Sequence, residues 1–298
     1  MTTTKVAIVG ASGESGQSIV NALLDSSTPK YEVTALTRPQ SIHKPVNTKL
    51  QERGVKVVPA DLGGPSDKLV ELLTGIDVVI SAIYFDNLDE EIPLANAAKA
   101  AGVKRFVQSA LMIVIPPKGK EDNLHYFQKI RLPYTYIDTR WWYQLTLPRL
   151  PSGRIDHLLS PTHKDLPIGF DGSVPTALAD LRDVGRFVAR VIADPRTLNK
   201  RVHVYSELYT QNKVYEVVEG LSGEKLPRGY VSEKEASTNI DNARARLQRI
   251  RRKLAQSSHL LLLSCSNLGD LYPDFEYVTF EDYVKEVLDG KVKGVYQG

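Results

Sequence analysis

The first half of this chain alternates short β-branched runs with helical patterns, and a glycine-rich turn joins its first strand to its first helix. Those two features predict an α/β protein, a Rossmann-type doubly wound parallel sheet with a smaller C-terminal α/β lobe. A third observation agrees. The strand-like runs are apolar on both faces, as a sheet covered by helices on both sides requires. Residues 1–145 are assigned to the sheet domain and 146–298 to the smaller lobe, with a soft and interleaved boundary.

The elements follow in order from the local patterns. Residues 5–9 read as the first strand and 14–24 as a helix, while 31–37 and 55–59 are the second and third strands. Residues 65–73 are helical, 77–83 the fourth strand, 90–101 a helix, 105–109 the fifth strand and 134–138 the sixth. Beyond Trp142 the pattern is mixed. The span 176–193 contains a helical stretch, Val184 to Ile192, and 201–205 reads as a strand. Residues 211–221, 233–254 and 280–288 read as helices.

With 298 residues, 42% of them hydrophobic and 8% aromatic, the chain can bury a substantial core. Its 38 Lys and Arg against 35 Asp and Glu leave +3, too balanced for a general nucleic-acid binder. The basic run from Arg244 to Lys253 reads as a solvated helix face before it reads as a nucleic-acid or partner contact. A single cysteine, Cys265, excludes a disulfide framework and a Cys-based zinc site, and it favours a reducing, cytoplasmic setting. The apolar run after Lys5 is too short for a secretory signal. The four leucines 260–263 fall far below the roughly 20 residues of a membrane span. Neither nucleic acid, membrane nor metal is expected as a partner, and a homodimer stays open.

The strongest signal is Val6-Ala7-Ile8-Val9-Gly10-Ala11-Ser12-Gly13-Glu14-Ser15-Gly16. An apolar strand enters a glycine-rich turn and leaves it as a helix, the context in which such a turn binds a dinucleotide. Gly10 permits the tight turn, Gly13 lets backbone approach a pyrophosphate, and Gly16 lets the helix pack on the strand. The helix N-terminus attracts the phosphates. Gly10, Ala11, Ser12, Gly13 and Gly16 are therefore candidate cofactor residues, in the spacing G-x-x-G-x-x-G.

The second strand ends Ala35-Leu36-Thr37-Arg38, where NAD-selective sites carry Asp or Glu for the ribose 2′-hydroxyl. Arg38, with Lys44 further on, suits a 2′-phosphate, because a guanidinium can stack on adenine and pair with the phosphate. NADP(H) is thus the expected cofactor; the competing reading makes Arg38 an ordinary solvated arginine. Asp61 either accepts from an adenine amino group or caps its loop. Ser109, ending the fifth strand, either binds substrate or cofactor or satisfies backbone groups.

Further segments accompany the glycine turn. They are Leu36-Thr37-Arg38, Ala100-Ala101-Gly102-Val103-Lys104-Arg105-Phe106, Leu132-Pro133-Tyr134-Thr135-Tyr136-Ile137-Asp138 and Trp141-Trp142-Tyr143-Gln144. Asp183-Val184-Gly185-Arg186-Phe187-Val188-Ala189 continues the series, and Leu271-Tyr272-Pro273-Asp274-Phe275 with Thr279-Phe280-Glu281-Asp282-Tyr283-Val284 closes it. In this order they resemble the NmrA-like / isoflavone reductase-like family, an atypical branch of the short-chain dehydrogenase/reductase superfamily, and its fungal members in particular. The resemblance spans nearly the whole chain. It implies NADPH bound along the first half and a substrate cleft between that half and a C-terminal substrate lobe. It also implies NADPH-dependent hydride transfer to a small aromatic or polyketide-like secondary metabolite, the small-molecule partner.

The reductases of this family use a lysine preceding the helix that leads into the sixth strand. Counting back from Leu132-Pro133-Tyr134-Thr135, the matching position is Lys120, with Lys118 and Lys129 as competitors. Such a lysine protonates a developing alkoxide or phenolate when burial lowers its pKa. The rival class is a non-catalytic NADP(H)-sensing regulator that docks on a partner protein and holds no working acid. A Lys120 amine in solvent favours the sensor; one beside the nicotinamide favours the enzyme.

Three features need placing. Tyr209-Thr210-Gln211-Asn212-Lys213 spells Y-x-x-x-K, the dyad of ordinary short-chain dehydrogenases, but it lies well past the sixth strand and is read as a decoy. Trp141 and Trp142 either line a pocket for a flat substrate or pack the core. Residues 255–269 are shorter and more apolar than the family's corresponding segment.

Overall fold

The computed structural model describes residues 3–110, 118–159, 167–232, 234, 235, 238 and 265–295. The helix expected over 233–254 lies almost wholly outside these, as does the apolar segment up to residue 264. Strands β1 (Thr4–Val9), β2 (Tyr31–Thr37) and β3 (Lys56–Pro59) are linked by helices α1 (Glu14–Asp25) and α2 (Pro45–Glu52). Helix α3 (Ser66–Leu73) leads to β4 (Val78–Ser81), α4 (Glu91–Ala100) to β5 (Arg105–Ala110), and α5 (Lys118–Lys129) to β6 (Tyr134–Asp138). Next come β7 (Trp141–Trp142), β8 (Ile168–Gly169), β9 (Thr176–Ala179), α6 (Leu181–Ala193), β10 (Lys200–His203) and β11 (Glu207–Tyr209). Helix α7 (Gln211–Ser222), β12 (Tyr230–Val231), β13 (Cys265–Asn267), α8 (Leu268–Leu271) and α9 (Phe280–Leu288) complete the order.

The chain divides into two compact units. Met1–Arg140, Leu181–Tyr205 and Leu263–Tyr277 form the first, and Trp141–Asp180, Ser206–Leu262 and Val278–Gly298 the second. The first unit holds an eight-stranded parallel sheet in the order β13-β10-β6-β5-β4-β1-β2-β3. From the central β1 the chain runs outward to β2 and β3, then returns to β4 on the other side. That reversal makes the β1–β4 junction the switch point of a doubly wound sheet, where open α/β folds bind ligands. The middle strands are buried on both faces because helices cover both sides, all four residues of β4 and all five of β6 among them, and their polar residues are inside the unit as well.

Helix α6, far along the chain, packs on α1. The contact is close because position 185 is glycine, where a Cβ would lie 2.0 Å from the Ser18 carbonyl oxygen. The Ser18 hydroxyl donates to Leu181 O at 2.6 Å and accepts from Gly185 N–H at 2.9 Å, fastening the two helices. The far end of α6 is held by Arg105 of β5. Its buried guanidinium donates to Val191 O, Thr197 Oγ1 and Asp194 O at 2.7–3.0 Å. These acceptors satisfy a buried cation that would otherwise cost several kcal/mol.

The Tyr272-Pro273-Asp274-Phe275 segment clamps the outer side of α6. Phe275 packs on Phe187 at 4.5 Å between ring centroids, Arg190 pairs with Asp274 at 2.8 Å, and the Tyr272 hydroxyl donates to Asp194 at 2.8 Å. The helical span expected from Val184 begins earlier, at Leu181, and the preceding Thr176–Ala179 is strand β9. Two ladder partners, β7 and β11, outweigh the helix propensity of its Ala and Leu residues.

The second unit has a three-stranded sheet, β11-β9-β7, and the two-stranded pair β12-β8. Its core centres on Tyr143, Phe280 and Tyr283, with Tyr143 at 5.2 Å from Phe280 and 5.8 Å from Tyr283. Thr210 and Thr279 cap α7 and α9 by accepting from Lys213 N–H and Asp282 N–H. Among the described residues no helix is long and apolar enough to cross a membrane.

Asp194 gives a test of this packing. Its carboxylate takes the Arg196 guanidinium at 2.7 Å, and that bond, first among its partners, holds the carboxyl down to about 2 against an ordinary 3.8. A depressed folded-state value means stability present above the unfolded value and lost as pH falls through the folded one. Asp194→Asn keeps the cap and removes the charge. Its melting temperature should lie below that of the wild type at about pH 6, and the gap should close from about pH 4 toward pH 2. A gap of constant size across that window would overturn the assignment.

Candidate cofactor and catalytic site

The carboxyl ends of the central strands bring the expected cofactor residues together. Gly10 follows β1 at φ +85°, a left-handed conformation, and a Cβ there would lie 2.4 Å from the Ala82 carbonyl oxygen. Gly16 sits against the turn itself, with a Cβ position 2.0 Å from Gly10 O. Both glycines are therefore required by packing. Gly13 differs. The one atom a Cβ would meet within 4 Å is Gly10 O, at an ordinary 3.4 Å. It stands at the N-cap of α1, and no side-chain cap closes that helix end. An open space over an uncapped helix N-terminus fits a pyrophosphate, with Ala11 and Ser12 supplying the rest of the turn.

Arg38 leaves the end of β2 with its side chain 46% exposed, and its guanidinium pairs with Glu90 at 2.7 Å. A 2′-phosphate binding here exchanges with or joins that carboxylate, so part of its gain is offset by Glu90. Lys44 is exposed at the N-cap of α2, where its charge adds to the positive end of the helix dipole. Asp61 accepts from Gly63 N–H at 3.0 Å and so caps its own turn. Ser109 is buried at the end of β5, and it is its main-chain carbonyl that meets Lys120.

Lys120 lies inside the first turn of α5, not ahead of the helix as the resemblance implies, because α5 already begins at Lys118. Its side chain is 12% exposed; the amine donates to Ser109 O at 2.5 Å and stands 3.9 Å from Glu91 Oε1. Burial pushes the amine below its ordinary value, and the Glu91 charge pushes it partly back. Among the competitors, Lys129 is exposed at the far end of α5, and the side chain of Lys118 is outside the described residues.

The sequence reading did not single out Glu91. The signal was present, since Glu91 shares one helical stripe with Leu94, Ala95 and Ala98, all buried. A carboxylate on an apolar stripe must find partners inside. Also unmarked was a cluster where β6 and β10 end. There Asp138 pairs with His203 at 3.2 Å and Arg140 at 3.6 Å, with Arg140 at φ +47°.

The second unit contains a cavity of about 610 Å³, lined by Trp141, Leu145, Pro148, Tyr209, Gln211 and Tyr215 among others. Its walls are mostly apolar and aromatic, with a few hydroxyl and amide groups and Arg149, whose charge is paired with Asp156, which suits a small molecule of low polarity. The two tryptophans thus part company, Trp141 lining the cavity and Trp142 buried in the core. In the Y-x-x-x-K segment, Tyr209 stacks on Phe280 at 5.1 Å between ring centroids, and Lys213 pairs with Glu216 at 3.6 Å while 56% exposed. Nothing there desolvates the lysine, which removes the physical basis for a catalytic dyad.

The NmrA-like family model matches residues 2–284. An asnovolin J 5′,6′-dehydrogenase of Aspergillus novofumigatus is 51% identical, over 97% of this chain and 96% of that protein. A phenylcoumaran benzylic ether reductase of Betula pendula is 28% identical, over 95% and 98%. Among solved structures, isoflavone reductase aligns with a TM-score of 0.74 at 26% identity, over 96% of this chain and 99% of the other. The binary complex of leucoanthocyanidin reductase with NADPH from Vitis vinifera aligns with a TM-score of 0.75 at 25% identity, again over 96% and 99%.

Two substitutions probe the cofactor half of the site. Arg38→Ala should weaken NADPH binding by about 1–3 kcal/mol, toward the lower end because Glu90 is released as well, and leave NADH nearly unaffected. Equal losses for both dinucleotides in calorimetry would place the 2′-phosphate elsewhere. Gly13→Val should keep the fold, since its Cβ meets no clash in the protein, and abolish quenching of intrinsic fluorescence by NADPH. Undiminished quenching in the folded variant would show that the phosphates do not cross this turn.

Proposed function

Because the chain belongs to the NmrA-like family, we propose that it moves hydride between NADP(H) and a small aromatic or polyketide-like secondary metabolite, with Lys120 as the proton donor. It is an NADP-dependent oxidoreductase of the isoflavone reductase-like kind. The observation that carries the finer reading is the Lys120 amine, desolvated at the carboxyl edge of the sheet and tied to Ser109 O. A regulator that only senses the dinucleotide has no use for a buried amine, and a solvent-facing one was its expected mark.

The Gly10–Gly16 turn and the N-terminus of α1 would hold the pyrophosphate, and Arg38 with Lys44 the 2′-phosphate. When bound, NADPH supplies the hydride. The chain's own part is proton management. As hydride adds to a carbonyl or conjugated carbon, the electron pair it displaces moves onto the substrate oxygen. A Lys120 N–H bond breaks and an O–H bond forms, leaving a neutral amine. A lowered amine value makes the ammonium a stronger acid and brings its titration toward the operating pH, the range in which a general acid works efficiently. Run in the opposite sense, the neutral amine takes the proton. That reversibility accommodates both a relative named a dehydrogenase and relatives named reductases. The apolar walls of the second unit's cavity support a low-polarity acceptor.

Turnover of quinones, aryl ketones and enones, followed as loss of NADPH absorbance, tests this reading. Lys120→Ala should lower kcat by about 10²–10⁴ with NADPH affinity nearly kept, the scale of a lost general acid. Absence of NADPH oxidation on every acceptor would favour the sensor, and unchanged turnover in the variant would remove Lys120 from the chemistry.

A further inference from the structure

We propose that Glu91 is the positioning residue of the Lys120 amine, a carboxylate fixed inside the first unit so that the lysine arrives at its substrate as an ammonium. Three elements converge on it from around its own helix. From α4 the Glu91 side chain is fully buried. Its Oε1 accepts from the Ser81 hydroxyl of β4 at 2.6 Å. Its Oε2 accepts from Gln108 of β5 at 2.5 Å and from Asn123 of α5 at 2.8 Å. All three partners donate, the pattern that an acceptor-only carboxylate demands. The Gln108 amide leaves its own Oε1 without a partner among the described residues in order to present its nitrogen here. A buried oxygen left so is costly, and the cost is consistent with the carboxylate being a required feature.

The position of the amine completes the argument. At 3.9 Å from Oε1 it lies beyond hydrogen-bond reach but well inside the range of a strong charge interaction. Glu91 therefore acts on Lys120 through its field and consumes none of the three ammonium protons. One proton goes to Ser109 O. Among the described residues no other acceptor takes a proton from it, which leaves two for a substrate oxygen. Among the described residues, Asp122 of α5 is exposed to solvent, and the charges of α5, β6 and β10 that turn inward are paired. Glu121, next in α5, binds Arg201 of β10 at 3.1 Å, and Arg201 lies over the Tyr136 ring of β6, whose phenol burial keeps neutral. Asp138 is occupied by His203 and Arg140. Glu91 is the anion set against the amine, and burial protects the pair from screening by salt.

This inference rests on the proposed role of Lys120, and two readouts keep the two apart. The first is the pH profile of kcat. A general acid works while protonated, so activity falls as pH rises through the amine's value. Glu91→Gln, equal in size and uncharged, should move that fall to lower pH by about 1–3 units, the usual scale for an opposite charge at this distance. Turnover at the alkaline end should drop by about tenfold or more and recover on acidification, whereas a merely misfolded site would lose activity at every pH. Glu91→Asp keeps the charge and should lie between the two; it serves alone if the Gln variant does not fold.

The second readout needs neither cofactor nor substrate. Acetic anhydride labels neutral amines, and the extent of labelling at Lys120, read by mass spectrometry across pH, follows the amine's own titration. In Glu91→Gln the labelling curve should shift to lower pH in the same direction as the activity profile. Coincident curves for wild type and a folded Glu91→Gln would overturn the role of Glu91, even if Lys120→Ala abolishes turnover. A shifted curve together with full turnover in Lys120→Ala would keep the Glu91–Lys120 linkage and overturn its use in catalysis.

Discussion

The close approach of α1 to β1 is the constraint on which the rest of the first unit depends. A Cβ at residue 16 would sit 2.0 Å from Gly10 O, so the helix rests on the turn at a distance only glycine allows. That distance aims the N-terminus of α1 at the switch point and leaves the space over Gly13 to a ligand. It also sets the surface on which α6 lies, where Gly185 and Ser18 repeat the same device. Arg105 and the Tyr272–Phe275 clamp then fasten the outer end of α6. A shift in the first contact would propagate through each of the others, since packed elements transmit strain.

Two buried cations in this unit show how environment separates structure from chemistry. The Arg105 guanidinium donates to two carbonyls and a hydroxyl, and it joins β5 to the end of α6. Among the described residues Lys120 donates to Ser109 O and faces a carboxylate 3.9 Å away. An arginine cannot lose its proton in a protein, whereas a desolvated lysine readily does. The residue types match the structural role of Arg105 and the role proposed for Lys120.

The second unit contributes an apolar cavity and a compact aromatic core around Tyr143, and its Y-x-x-x-K segment belongs to that packing. The 51% identity to a fungal dehydrogenase and the lower identity to plant reductases cover nearly the whole of each chain. The likeness to those relatives therefore extends over both units.

Much of this was written in periodicity and in a few obligatory residues. Alternating runs specified the strands and most helices to within a few residues, because burial on both faces leaves little choice of pattern. Gly10 and Gly16 were legible because close packing admits no side chain there, Gly13 because it completes the same turn motif, and Lys120 because the family resemblance places a lysine at that spacing from Leu132-Pro133-Tyr134. Helix α2 and strand β9 were not legible, the first because Pro45–Glu52 has few apolar residues and the second because its ladders come from distant partners. Only the tertiary structure decided that Arg38 meets Glu90, that Ser109 uses its carbonyl, and that Trp141 and Trp142 take different roles. It alone brought Glu91, Ser81, Gln108, Asn123 and Lys120 together from four elements. Periodicity says which side chains must be inside; which of them meet depends on the order in which the strands assemble.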